Sequence, residues 1–519
     1  MNFTFRRLTK LSWNLHCLLK CPYTVHAIYK PFISPKVCFS SVPIQHYHQI
    51  DLHDFTADHK PTNSSQQNSC GNSTNDEALG IQTVLNLHSY NYRSLEEVEQ
   101  CFSRCSMSLS KDLVLNVLRR YRSEWRPAYL FFTWVCKVKD SSGFSPDTCI
   151  YNEILDILGR MKQFDEFFRV FDEMSRERHL IDQHTFVIMV SRLSGAHKVD
   201  EAIEFFHKIE GFGLERDLVS FQTLLLSLCR YKHVEEAEVL FRTMKSEFRD
   251  DIKTWNIILN GWCVLGSLRD AKRFWKDILA SNCKPDKFTY GIFINSLSKS
   301  GKISTAKKLL LTMWEKGCVP DAAICNCVMD GLCFKKRVPE ALQIFSEMSL
   351  KGCTPNASTY NSLIKHLCKI QRMEKVHELL NEMEAMGESC LPNALTYHYL
   401  LSSAKTPEEV DKVLEMMEKN GCKLLADTYN LILRLFMKWG NEARVKKVWD
   451  EMENSRTGPD SRSYTIMIHG LYDNGRIRNA LKYFNEMMIK GMMPEPRTKL
   501  LVDDINSKLK EIDEAGKTG

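Results

Sequence analysis

A repeat of about 35 residues runs through most of this chain and limits the folds open to it more than any other feature. Four-residue segments whose second residue is aromatic recur at this spacing, beginning at Ile150, Thr254, Thr289, Thr359, Thr428 and Ser463. They divide the chain into ten units: 148–182, 183–217, 218–251, 252–286, 287–321, 322–356, 357–393, 394–425, 426–460 and 461–495. A fixed period of about 20 to 50 residues indicates a repeat architecture in which neighbouring units share one core.

Each unit contains two helical patterns. In the first, as over residues 360–369, apolar residues recur at steps of three and four, which is the spacing of one helix face. The second carries a small residue that permits close packing, such as Ala237, and ends near a glycine such as Gly317. One such hairpin cannot bury its apolar stripe alone. We therefore predict an all-α fold, a right-handed α-solenoid superhelix of about ten 35-residue helix-turn-helix repeats.

The regions outside the repeats have a different composition. Residues 1–50 contain six Lys and Arg and no Asp or Glu, and the rest of the chain has equal numbers of both signs. We predict an organellar transit peptide over 1–40, mitochondrial by preference and chloroplast as the alternative. A polar linker and poorly structured lead-in is predicted over 41–109, a degenerate leading helical unit over 110–147, and a capping helix with a tail over 496–519. No apolar run of about 18 residues occurs, so membrane insertion is not expected.

Catalytic and metal-binding patterns are missing from the sequence. The 19 cysteines include no Cys-x-x-Cys pair, so we expect neither zinc nor another metal. The 24 residues after Glu495 contain no deaminase signature and are too few for a nuclease domain. We therefore expect a protein that is not an enzyme and needs no cofactor.

Three motifs carry a resemblance to a known family. They are the Thr-Tyr-Asn opening, the Glu-Ala-x-x-x-Phe-x-x-Met second helix, as over 340–348, and the Gly-Cys-x-Pro-Asp ending, as over 317–321. The chain resembles the pentatricopeptide repeat family, and its near-uniform units are similar to the P subclass of the organelle-targeted plant type. The tetratricopeptide pattern fits less well because it lacks the Pro-Asp ending. The resemblance implies sequence-specific binding of single-stranded organellar RNA, one base per repeat, without catalysis.

Two positions of each unit are the candidates for base recognition: the fifth residue, which follows the aromatic, and the residue that closes the unit. Five units pair an asparagine with Asp or Asn: Asn152 with Asp182, Asn256 with Asp286, Asn326 with Asn356, Asn361 with Asn393, and Asn430 with Asp460. By the resemblance, Asn-Asp implies uracil and Asn-Asn a pyrimidine, which gives 5′-U-?-?-U-?-Y-Y-?-U-?-3′. The other five pairs depart from the pattern: Val187/Asp217, Gln222/Asp251, Gly291/Asp321, His398/Leu425 and Thr465/Glu495. This interpretation expects the asparagines to lie exposed along one surface; helix capping is the competing role.

Two further positions of the units are predicted to contact RNA. Position 13 is basic in alternate units, at Arg160, Arg230, Lys299, Lys369 and Lys438, and is predicted to contact phosphates, with a solvated stripe as the alternative. In the family, the residue two places after each closing residue wedges between bases; Val219, Phe288 and Leu395 fit this role, and Asp427 and Arg462 do not. The aromatics of the four-residue segments are expected to pack between helices.

The leading hypothesis for function is an RNA adaptor that stabilises transcripts, defines their ends, or assists splicing or translation by occupancy. Its partners would be single-stranded organellar RNA and other RNA-processing or ribosomal proteins. The second hypothesis is a protein–protein scaffold in an organellar ribonucleoprotein such as the mitochondrial ribosome. The five departing pairs and the neutral repeat region keep that hypothesis open.

Overall fold

The computed structural model describes residues 78–86, 102, 109–138, 143–248, 250–387, 390–455 and 458–515. The transit peptide predicted over 1–40 lies outside these residues. In the described part, regular structure is helical and no strand occurs. No described helix is long and apolar enough to cross a membrane.

Ten pairs of helices follow one another along the repeat region. The first helices of units 1 to 10 are Thr148–Arg160, Gln183–Gly195, Leu218–Arg230, Ile252–Leu265, Lys287–Lys299, Ala322–Phe334, Ala357–Lys369, Ala394–Ser403, Ala426–Lys438 and Ser461–Asp473. The second helices are Phe164–Ser175, Val199–Lys208, Val234–Met244, Leu268–Ala280, Ile303–Glu315, Val338–Leu350, Met373–Ala385, Pro407–Lys419, Glu442–Glu453 and Ile477–Ile489. Each first helix packs against its own second helix and against the first helix of the next unit. The fold is therefore an all-α solenoid, as predicted.

The regions beside the repeats are helical as well. Helices Lys111–Arg120 and Trp125–Lys137 precede unit 1, and Pro496–Ala515 follows unit 10. Residues 78–86 also form a helix, so the prediction of a poorly structured lead-in over 41–109 was wrong there. Its buried residues, Ala78, Ile81 and Leu85, share one helix face, a short pattern that the surrounding polar residues obscured.

In most units, the closing residue is the N-cap of the first helix of the following unit. Asp182 Oδ1 accepts a hydrogen bond from the backbone N–H of Thr185 at 2.7 Å. The Thr185 hydroxyl also lies 3.2 Å from the Asp182 backbone N–H, which donates to it and completes a capping box. The same arrangement recurs at Asp217, Asp286, Asn356, Asn393 and Asp460. Each first helix consequently starts beside the residue that ends the preceding unit.

The turn between the two helices of a unit, here called the intra-unit turn, contains one residue in the left-handed region. Glycine occupies this position at Gly266, Gly301, Gly440 and Gly475. Side-chain-bearing residues adopt the same conformation at Lys162, His197, Lys232, Lys336 and Gln371, with φ between 57° and 71°. The left-handed backbone is therefore common to these nine units, whereas glycine is not.

Aromatic rings join consecutive units. In units 4, 5, 7 and 10, the aromatic that precedes the fifth residue packs edge-on against a ring in the second helix of the preceding unit. The ring pairs are Phe241–Trp255 at 4.8 Å, Trp275–Tyr290 at 5.3 Å, Phe345–Tyr360 at 5.2 Å and Trp449–Tyr464 at 5.0 Å. The prediction that these aromatics pack between helices is confirmed, because Trp255, Tyr290, Tyr360 and Tyr464 are at most 3% exposed.

Candidate nucleic-acid interface

The fifth and closing residues of four predicted pairs are hydrogen-bonded to each other. In each, the asparagine Nδ2 donates to the Oδ1 atom of the closing residue. The bonds are Asn152–Asp182 at 3.2 Å, Asn256–Asp286 at 3.3 Å, Asn361–Asn393 at 3.2 Å and Asn430–Asp460 at 3.3 Å. The geometry therefore brings together side chains about 30 residues apart in sequence, once per unit.

The two members of a pair differ in exposure. The asparagines Asn152, Asn256, Asn361 and Asn430 are only 1% to 9% exposed, so the expectation that they lie exposed was wrong. They are covered by the closing residue and by the capping hydroxyl residue of the next helix. In unit 1, for example, the Thr185 hydroxyl donates to Asn152 Oδ1 at 2.8 Å. The closing residues Asp182, Asn393 and Asp460 are exposed, and Asp286 is half-buried. The accessible half of each pair is thus the closing residue.

Capping leaves one polar atom of each closing side chain available. Asp182 Oδ1 accepts bonds from Thr185 and Asn152, and no described residue donates to Asp182 Oδ2. In unit 7, Asn393 Oδ1 accepts bonds from Leu395, Thr396 and Asn361, and the Asn393 amide NH2 is left without an acceptor among the described residues. A closing Asp therefore presents an acceptor oxygen, and a closing Asn presents a donor N–H.

The electrostatic surroundings of Asp460 favour its charged form. Burial acts to raise the pKa of Asp460, but hydrogen bonds from Ser463 and Asn430 outweigh burial and hold the pKa below its usual value. The oxygen that a ligand would meet at the end of unit 9 belongs to a carboxylate.

The remaining predicted pair, Asn326 and Asn356, lacks the hydrogen bond that the other four pairs form. Asn326 and Asn356 form no hydrogen bond with each other in the described structure, and Asn326 Oδ1 is buried without a partner. Asn256 Oδ1 and Asn430 Oδ1 are also buried without a hydrogen-bond partner, although the Nδ2 atoms of these residues donate to Asp286 and Asp460. A buried acceptor without a donor costs about 1 to 3 kcal/mol, so units 4, 6 and 9 each contain an oxygen that a bound N–H group would satisfy.

Sequence analysis did not identify one further hydrogen-bonded pair. Gln222 Nε2 donates to Asp251 Oδ2 at 3.0 Å and to the Thr254 hydroxyl at 2.9 Å, which reproduces the amide-to-carboxylate bond of the Asn pairs. Because Gln222 is one methylene longer, it engages the carboxylate of a unit that is only 34 residues long. Asp251 makes no side-chain cap. The shared amide group was the signal that could have identified this pair.

The remaining departing pairs lack this amide-to-carboxylate contact. Val187 is buried, and Asp217 only caps the next helix. Leu425 is 57% exposed and makes no side-chain cap, so unit 8 ends without a polar group. The Thr465 hydroxyl donates to the Ser461 carbonyl at 2.9 Å within its own helix. Gly291 has no side chain to pair with Asp321.

Position 13 lies at the end of the first helix in the five basic units. All five residues are exposed: Arg160, Arg230, Lys299, Lys369 and Lys438. Arg160 pairs with Asp156 at 2.8 Å, whereas the other four form no ion pair with a described residue. Four cations are therefore free to meet an anion.

The predicted wedge residues are exposed apolar side chains. Val219 is 57% exposed, Phe288 39% and Leu395 48%, each in the first turn of a first helix. At the equivalent places in units 9 and 10, Asp427 Oδ1 and Arg462 Nη1 lie 2.9 Å apart and form an ion pair across the unit boundary. The described residues contain no group of three His, Cys, Asp or Glu side chains that could hold a metal ion.

Comparison with known proteins gives consistent matches. A model of the PPR repeat family matches residues 146–195, 250–299, 320–369, 355–405 and 426–473, and a PPR repeat model matches 184–214, 219–247, 288–318 and 462–492. A putative pentatricopeptide repeat-containing protein of Arabidopsis thaliana is 54% identical over 431 residues, which are 83% of this chain and 82% of that protein. A second Arabidopsis thaliana relative, a pentatricopeptide repeat-containing protein named as mitochondrial, is 36% identical over 401 residues, 77% of this chain and 69% of its own. The crystal structure of the pentatricopeptide repeat protein PPR10 from maize is 22% identical with a TM-score of 0.47, covering 82% of this chain and 65% of that one.

Proposed function

The chain belongs to the pentatricopeptide repeat family, and on that premise we propose that it binds single-stranded RNA in a sequence-specific manner, one base per unit. The observation that carries this proposal is the amide–closing-residue contact, which recurs once per unit in units 1, 3, 4, 7 and 9. These similar polar contacts are separated by whole numbers of units, which matches a strand whose bases recur at a fixed interval.

The free atom of the closing residue supplies a chemical basis for discrimination. Uracil presents an N3–H donor on its Watson–Crick edge, and cytosine presents an N3 acceptor there. The carboxylates of Asp182, Asp286 and Asp460 accept from uracil and repel the cytosine acceptor. The amides of Asn356 and Asn393 donate to cytosine. This supports uracil at units 1, 4 and 9 and a pyrimidine, cytosine first, at units 6 and 7.

The buried amide is the second half of the site. In units 4 and 9, Asn256 and Asn430 each keep an oxygen without a donor, and the same holds for Asn326 in unit 6. At unit 6, the amino group of cytosine can donate to Asn326 Oδ1, which removes the cost of leaving this oxygen unpaired. At units 4 and 9, uracil has no second N–H once its N3–H has donated to the closing carboxylate, so selection there rests on the closing residue alone.

We place the protein in organellar RNA metabolism, where occupancy of a transcript protects or defines an end, assists splicing or exposes a translation start, without a catalytic step. The near-uniform unit length supports the P subclass. The acid-free residues 1–50 and the relative named as mitochondrial favour the mitochondrion, with the chloroplast as the alternative. Other RNA-processing or ribosomal proteins are the proposed protein partners.

The test is equilibrium binding of the full chain to two labelled ten-base RNAs. One carries U at positions 1, 4 and 9 and C at 6 and 7, and the other carries purines at these five positions. Each mismatched base costs about 1 to 3 kcal/mol, so the five mismatches together should weaken the binding of the second RNA by at least about 1,000-fold. Equal affinities would reject sequence-specific recognition and favour the protein–protein scaffold.

A further inference from the structure

The repeat region is nearly neutral in total, but its first and second helices carry net charges of opposite sign. The first helices together contain 11 Lys and Arg and 5 Asp and Glu. The second helices contain 17 Lys and Arg and 29 Asp and Glu. One layer of the solenoid is therefore positive and the other negative, which directs a polyanion toward the first helices.

The intra-unit turns contain charged side chains of one sign only. They contain no Asp or Glu and ten Lys and Arg: Lys162, Lys198, Lys232, Lys302, Lys335, Lys336, Arg337, Arg372, Lys405 and Arg476. We call this set the basic edge. By contrast, six of the nine segments that connect one unit to the next contain both signs, as over 245–251.

Most cations of the basic edge have no partner among the residues that the structure describes. Lys198 pairs with Glu201, Arg337 with Glu340, and Arg476 with Glu442. The other seven side chains are exposed and form neither a hydrogen bond nor an ion pair with a described residue: Lys162, Lys232, Lys302, Lys335, Lys336, Arg372 and Lys405. Many basic residues of the second helices, such as Arg242, Arg273 and Arg444, are instead held by carboxylates.

Two contacts show that neighbouring intra-unit turns lie close together, so the basic edge follows the row of units, interrupted at units 4 and 9, whose turns contain no Lys or Arg. His197 Nδ1 of unit 2 lies 3.1 Å from His233 Nε2 of unit 3. Between units 5 and 6, a Cβ atom built on Gly301 would lie 3.9 Å from the ammonium nitrogen of Lys335. An anion bound along this edge would be attracted by the unpaired cations of several consecutive units.

We infer that the basic edge binds phosphate groups of the bound RNA along the row of units, in addition to the position-13 residues. The inference rests on the proposed function. The edge lies between the carboxyl ends of the first helices and the amino ends of the second helices, and the dipoles of the latter favour an anion. These contacts do not distinguish bases. They position the backbone so that successive closing residues meet successive bases.

The test compares the salt dependence of RNA binding in two quadruple variants of the full chain. The edge variant carries Lys162→Gln, Lys232→Gln, Lys302→Gln and Lys336→Gln. Glutamine is chosen because Gln371 already adopts the left-handed conformation of this turn, with φ of 59°. The control variant carries Lys272→Gln, Lys276→Gln, Lys308→Gln and Lys446→Gln, four exposed residues of the second helices. Both variants lose the same net charge.

The two variants should respond differently to salt. For a single strand, each phosphate contact adds about 0.7 to the steepness of the slope of log affinity against log salt concentration. Loss of four contacts should therefore make the slope of the edge variant shallower by about 2.8. Between 50 and 200 mM salt the wild-type chain would then lose about 50-fold more affinity than the edge variant. The control variant should retain the wild-type slope.

The ratio of affinities for matched and purine-swapped RNA separates this inference from the proposed function. An unchanged ratio with a shallower slope in the edge variant supports both. Equal slopes in the edge and control variants would overturn the phosphate role, even with the base preference intact. A shallower slope without any base preference in the wild type would retain the phosphate role and reject base recognition, and no binding by the wild type would overturn both.

Discussion

The triple substitution of Asp182, Asp286 and Asp460 by Asn should change the preferred base at units 1, 4 and 9 from uracil to cytosine. Each substitution replaces the free acceptor oxygen by a donor N–H while the capping Oδ1 atom is retained. Asn393 already caps its helix in this way, so the fold should tolerate the change. The preference for U over C should reverse by about 5- to 150-fold at each position, measured with RNAs that differ only there.

A matched control for this reversal is Asp217→Asn. Asp217 caps the next first helix as Asp182 does, but its unit has Val187 in place of the amide. This variant should keep the uracil preference at units 1, 4 and 9. Retention of that preference by the triple variant would show that the closing residues do not select the base.

The largest effect on stability is expected for Trp255→Ala, which removes the ring that joins units 3 and 4. Trp255 is 3% exposed, lies 4.8 Å from Phe241 and 5.2 Å from Phe274, and donates from Nε1 to Asp250 at 2.6 Å. Loss of a buried tryptophan costs about 3 to 5 kcal/mol. Because each unit contacts only its neighbours, the loss should uncouple the solenoid at this boundary and split one unfolding transition into two.

Chemical denaturation followed by circular dichroism measures this uncoupling. Val264→Ala in the same helix is the control, because Val264 is 70% exposed and its truncation should cost less than about 0.5 kcal/mol. A single transition shifted equally in both variants would contradict the aromatic contact as the coupling between these units.

The helices of the solenoid could be predicted because local signals coincide with the tertiary contacts. The closing Asp or Asn both ends one unit and caps the next helix, so the repeat boundary and the helix start are the same residue, as at Asp286. The left-handed turns at Lys162 and Gln371 could not be predicted, since neither residue type favours that conformation. The helix over 78–86 was hidden because its apolar face is short and surrounded by polar sequence.

The sequence predicted which residues of the candidate site pair with each other, but it did not predict that the asparagines are buried. Recurrence of Asn and Asp at fixed positions identified the partners, and four of the five Asn-containing pairs are hydrogen-bonded. The burial of Asn152 depends on Thr185, which belongs to the following unit, and no pattern within one unit contains that information. Gln222 departs from the pattern of Asn at this position, although its amide makes the same contact with Asp251.

Selection of bound sequences from a randomised pool of single-stranded RNA, followed by sequencing, tests most directly whether one unit meets one base. The protein should enrich uracil at three places with the spacing of units 1, 4 and 9, and pyrimidines at the two places that correspond to units 6 and 7. Enrichment of a motif without this spacing, or recovery of a pool as random as the input, would contradict the account.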